Sequence, residues 1–136
     1  MWLQIDGVEV NGQPPDLHSQ TCEAFLCEAF RAQGHVEATA NVTYLRFAGR
    51  WHRLYFDCGL IFWREHDGAP EAWAVPEGGW EYPIVDVGAE AGVVGVRLAS
   101  YRMEPTAGGS RVAFTFENGR GVVLDNHADR TSYSAT

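Results

Sequence analysis

Four of the five tryptophans, Trp51, Trp63, Trp73 and Trp80, lie between positions 51 and 80. Arg53 and Arg64 are interleaved with them. Tryptophan and arginine combine a large contact surface with donors or charge, and they dominate the energetics of binding surfaces. Trp51, Arg53, Trp63, Arg64, Trp73 and Trp80 are therefore the candidate ligand- or partner-binding residues. The same residue types also fill the core of a small sheet, with arginines stacked at its edge. The sequence leaves both readings open. Trp80 has the best claim to exposure, because Gly78, Gly79, Glu81 and Pro83 surround it with loop-forming residues.

Motifs for catalysis are weak. No G-x-S-x-G elbow is present, and Ser100, Ser110, Ser132 and Ser134 stand in no nucleophile motif. Cys58 follows Asp57 at a break between apolar runs, and it reads as a small buried residue at a bend. Asp57 and His52 would suit an acid/base pair, but five positions along a strand gives no reason for them to meet. Asp125, His127 and Asp129 alternate, so an extended backbone would aim all three to one side, as metal ligands need. Their neighbours Asn126 and Arg130 read instead as a solvated turn. Gly108-Gly109-Ser110-Arg111 lacks the helix that must follow a phosphate-cradling loop. No catalytic residue, cofactor or metal is expected.

Charge narrows the partners. Eighteen acidic residues against ten basic ones give a net charge of −8, and every basic residue is arginine. Such a field disfavours nucleic acid, which needs a basic stripe. It steers a basic protein partner. No apolar run is long enough to span a bilayer, so no membrane partner is expected. Met1 to Asp6 has neither the basic start nor the apolar stretch of a signal peptide. With an odd count of three cysteines, this predicts a cytoplasmic protein with reduced, buried thiols.

The elements that position these residues follow from periodicity. At 136 residues the length fits a single domain over 1–136. A small hairpin is expected from Trp2 to Val10, around Asp6-Gly7. From Cys22, the apolar residues Phe25, Leu26, Ala29 and Phe30 recur at helical spacing, and Gly34 is a natural stop, which predicts a helix over about 19–33. After Gly34 the period becomes two. Strands are expected around 36–47, 51–56, 60–65, 72–75 and 84–87, with a loop from Pro76 to Pro83. Further strands are expected at 93–103, 111–117, 121–124 and 131–135. The expected class is α+β, mostly β, with about seven to nine strands. They would form an antiparallel curved sheet, or a partly open barrel or sandwich, with the helix covering one face. The oligomeric state stays open.

The C-terminal third carries a resemblance. Phe114-Thr115-Phe116-Glu117-Asn118-Gly119, then Val122-Val123-Leu124-Asp125-Asn126, then Ser132-Tyr133-Ser134, resembles small bacterial proteins that include immunity proteins of polymorphic toxin systems. It spans about residues 112–134, and Ser134 stands where the pattern often carries glutamate. The resemblance implies a non-enzymatic cytoplasmic inhibitor that binds a toxin domain. The acidic charge would suit a basic nuclease as that partner. Two other functions remain open on sequence: a binder of small apolar ligands with a tryptophan-lined pocket, and a small α+β enzyme.

Overall fold

A computed structural model describes all residues 1–136. The chain is mostly β, with two sheets packed face to face. The first part runs β1 (Trp2–Ile5), β2 (Val8–Asn11), β3 (Cys22–Ala32), β4 (His35–Phe47), β5 (Arg50–Asp57) and β6 (Leu60–His66). Then come β7 (Trp73–Val75), a 3-10 turn (Pro76–Gly78), β8 (Trp80–Tyr82), β9 (Ile84–Asp86) and the helix α1 (Val87–Ala91). The last four strands are β10 (Leu98–Thr106), β11 (Gly109–Phe116), β12 (Gly121–His127) and β13 (Arg130–Ala135).

The larger sheet has nine strands in the order β1-β2-β6-β5-β4-β3-β8-β7, with β9 also paired to β3. The smaller has four, in the order β10-β11-β12-β13. That is more strands than periodicity predicts, because Cys22–Ala32 is a strand and Trp80–Tyr82 pairs as one inside the expected loop. All pairs are antiparallel except β2 with β6. Five of the hairpin turns carry two successive residues at positive φ: Asp6-Gly7, Gln33-Gly34, Ala48-Gly49, Cys58-Gly59 and Ala128-Asp129. This is the turn geometry whose twist matches the flanking strands.

The helix expected at 19–33 is instead β3, the most heavily paired strand of the larger sheet. The physical reason is a bulge. Cys22 pairs with Phe47 and Phe25 with Leu45, so an extra residue sits between Cys22 and Ala24. The bulge puts residues three apart on one face, which imitates helical spacing. Cys22, Phe25 and Cys27 all point into the core and are fully buried. The only α-helix is α1, a single turn that starts where Asp86 accepts from Ala89 N at 3.0 Å. Val93, expected to open a long strand, is buried in the turn that follows α1, and β10 starts only at Leu98.

The two sheets share one apolar cluster. Val10, Phe25, Leu45, Leu54, Phe56, Ile61 and Trp63 of the larger sheet meet Met103, Val112, Phe114, Val122 and Leu124 of the smaller. Phe25 and Phe114 pack edge to face at 5.2 Å. The Trp63 indole N–H points at Met103 Sδ, 3.4 Å away. The segment from Gly12 to Gln20 crosses the open end of the sandwich. Leu17 buries beneath it, and Tyr101 donates its hydroxyl to Pro15 O at 2.5 Å. No helix is long and apolar enough to cross a membrane.

Candidate functional site

Strand alternation sends Leu54, Phe56, Ile61 and Trp63 into the core and their neighbours to the opposite face. Tyr44, Arg53 and Arg64 lie in one cross-strand row of that outer face, because Tyr44 pairs with Arg53 and Arg53 with Arg64. Trp51 pairs with Arg46 and His66 in the adjoining row. Tyr55 stacks on Phe62 at 4.9 Å, and the Arg53 guanidinium lies 5.2 Å from the Tyr55 ring. The other end of the face belongs to the β7–β8 hairpin. Its register pairs Trp73 with Tyr82 and Val75 with Trp80.

Of the six candidate residues, five lie on this outer face. Trp63 does not. It is 1% exposed and belongs to the core. Arg64 donates to Asn11 Oδ1 at 2.6 Å and to Trp63 O at 2.8 Å, which pins the chain entering the Gly12–Gln20 segment. Arg53 forms no ion pair, and its Nε is buried without a partner. Trp51 is half-buried.

Trp73 and Trp80 are 50% and 45% exposed. Trp80 sits in a short strand, not in the expected loop, and its indole lies over Gly78 with no room there for a Cβ. Trp73 is held by a three-ring stack: its ring lies 3.9 Å from Tyr82, which lies 5.2 Å from Phe30. The Trp73 indole also donates to Glu28 Oε1 at 3.0 Å. The hairpin tip is fixed by Gln33, which donates through Nε2 to Gly78 O and through its amide to Gly79 O.

The electrostatics of this hairpin were not singled out from sequence, although the signal is there. From Glu65 to Val96 the chain carries Glu65, Asp67, Glu71, Glu77, Glu81, Asp86 and Glu90 and no arginine. The ion pairs of the protein all lie elsewhere: Arg46–Glu23, Arg97–Glu117, Arg111 with Glu104 and Asp125, and Arg130–Glu37. Arg31 stands opposite Glu81 in register, but its guanidinium donates to Gly34 O instead.

The other sequence candidates separate. His52 faces Glu65 across β5 and β6, whereas Asp57 lies at the far end of β5, about 16 Å of strand away. Burial lowers the His52 pKa, with Arg50 adding to the effect and Glu65 opposing it. Asp125 is taken by Arg111 at 3.2 Å, so the alternating Asp125, His127 and Asp129 do not converge. The cluster that does form is exposed, and joins Asp57, Cys58 and Asp129, with ligand-type atoms within 4.8 Å. Asp129 already accepts the Cys58 amide there. Cys58 is exposed, not buried as expected, because the two-residue turn lifts it off both strands. Ser110 is buried opposite Asn126, closed to any substrate.

No family model matches the chain, and no curated protein or solved structure matches it either.

Proposed function

We propose that this protein is a non-enzymatic binding module that holds a basic protein partner against the β7–β8 hairpin. One observation carries the reading. The exposed Trp73 and Trp80 stand on the one long stretch with seven acids and no cation, and none of those acids is ion-paired within the protein. An exposed carboxylate needs no partner in water, so its lack of one is unremarkable alone. The hairpin itself carries no cation, and Arg31, opposite Glu81 on β3, is turned to Gly34 O, so a local negative field is left beside two large apolar rings. That combination suits arginine and lysine side chains, which pair with carboxylates and lie over indole faces.

The backbone adds a mode of attachment. β7 ends the strand order of the larger sheet, so its outer N–H and C=O groups are open to another strand. The C-terminal resemblance makes the partner a basic toxin domain, with this protein as its cytoplasmic immunity-type inhibitor.

Trp73 and Trp80 give the test its readout. A peptide of alternating arginine and valine should shift the tryptophan emission, and the effect should weaken as salt rises. The matching glutamate–valine peptide should not. Combined Glu71→Gln, Glu77→Gln and Glu81→Gln should remove the response. An unchanged response in that variant sinks the proposal. The immunity reading is checked separately by co-expression with a toxin-like product of an adjacent gene, where loss of protection against that toxin follows only if the hairpin is its contact.

A further inference from the structure

The larger sheet has one face without a covering layer. Its inner face packs on the smaller sheet through the shared core. Its outer face carries four of the five tryptophans: Trp2 and Trp51 on one side, and Trp73 and Trp80 on the hairpin at the other. Trp2, Trp73 and Trp80 are 56%, 50% and 45% exposed. Tyr55 and Phe62 stand between Trp2 and the hairpin, half-buried and stacked on each other. An aromatic face of this extent marks an interaction surface, because a chain that stays alone in water rarely keeps one.

Charge is ordered along the same face. Arg53 and Arg64 are directly opposite each other on β5 and β6. Like charges so placed repel. Each guanidinium lies by an aromatic ring instead of a carboxylate, Arg53 at 5.2 Å from Tyr55 and Arg64 at 5.7 Å from Phe62. The other end is the hairpin, flanked by Glu71 and Glu77. One end of the face is thus aromatic and cationic, and the other aromatic and anionic.

We infer that this face is covered by a second copy of the chain, in a two-fold dimer that lays the hairpin of each copy over β5 and β6 of the other. Across this region the strand order is β6-β5-β4-β3-β8-β7. A two-fold axis normal to the sheet, between β4 and β3, sets β8 of one copy against β5 of the other and β7 against β6. Each contact is made twice, and the dimer closes on itself. A different basic protein would cover the hairpin and leave the arginine end open, whereas a second copy covers both. Two copies repel through their net charge of −8, but screening over about 8 Å at physiological salt limits that repulsion to near contact, where the opposite charges meet. The inference rests on the hairpin reading above, because the same acids and tryptophans make the contact, and a basic partner would displace the second copy.

The test is sedimentation equilibrium of the full chain from micromolar to submillimolar concentration, which should reach twice the chain mass. Trp80→Ala should weaken the dimer about tenfold, as loss of an interface aromatic does. Arg53→Glu alone, and Glu71→Arg with Glu77→Arg alone, should each give monomers, with circular dichroism showing that both fold. Mixed together, these two variants should recover the double mass, because each supplies the sign that the other now needs. A wild-type chain that stays monomeric, a dimer indifferent to all these changes, or a mixture that stays monomeric overturns the proposal. Arg53→Glu keeps the hairpin acids, so its monomer should still respond to the arginine–valine peptide. A monomeric wild type that responds to the peptide overturns the dimer alone, and a monomeric variant without response overturns the hairpin reading.

Discussion

The Trp73 indole N–H and the Glu28 carboxylate are joined at 3.0 Å, and this bond ties the exposed hairpin to the central strand β3. Glu28 is only 7% exposed, so its carboxylate needs hydrogen-bond partners within the protein. Trp73 is thus a structural clamp as well as a surface ring, whereas Trp80 has no side-chain bond of this kind. Trp73→Phe should cost about 1.5–3 kcal/mol, the range for a hydrogen bond to a charged group. Trp80→Ala should cost far less stability while removing more of the peptide response. Urea denaturation of both variants, read beside the emission titration, checks the division of roles.

Gly12 passes directly over the Trp63 carbonyl at a φ of 91°, where an added Cβ would sit 2.1 Å from that oxygen. The contact is with backbone, so no side-chain rotation relieves it. Gly12→Ala should destabilise the protein by about 2–5 kcal/mol, from positive-φ strain plus overpacking. Gly34→Ala, with open space around its Cβ position, should show the conformational part alone. The difference between the two in chemical denaturation isolates the steric part.

His52 should make the fold weaker in mild acid. Burial holds its pKa below the ordinary 6.5, so the unfolded chain takes up its proton first. Stability from this residue is intact above pH 6.5 and falls as the pH drops through that value toward the lower folded one. His52→Gln should remove that part of the slope. Denaturant midpoints of both proteins between about pH 7.5 and 5.5 check the sign; a steeper slope in the variant would contradict it.

Cysteine chemistry should separate the three thiols. Burial raises both Cys22 and Cys27 to about 12, which keeps them protonated and closed to reagents in the folded chain. Cys58 is exposed, but Asp57 and Asp129 raise its pKa by hydrogen bonding and charge. Iodoacetamide should modify Cys58 alone, and slowly at neutral pH. Asp57→Asn should speed that reaction by lowering the thiol pKa. Mass spectrometry of the native and denatured protein gives the count, and labelling of Cys27 in the native state would contradict the packing.

The class was legible because its signals are local. Alternation in Val112, Phe114 and Phe116, and the turns at Asp6-Gly7 and Asn118-Gly119, act within a few residues and survive in the structure. Cys22–Ala32 misled for the same reason. A bulge in a strand and one face of a helix both place apolar residues three apart, and only the pairing with β4 tells them apart.

By itself, then, the sequence determined a mostly β chain, its principal strands, and the acidic stretch around Trp73 and Trp80. Those features follow from residue type and short-range spacing. Only the tertiary structure decided that Trp63 is core while Trp73 and Trp80 are surface, since their neighbours come from β10 in one case and from solvent in the other. It also decided that His52 meets Glu65 rather than Asp57, and that residues 12–20 wall a cleft over β5 and β6. A side chain's environment in a sheet is set by strands distant in the chain, and single-residue periodicity carries no record of which strands those are.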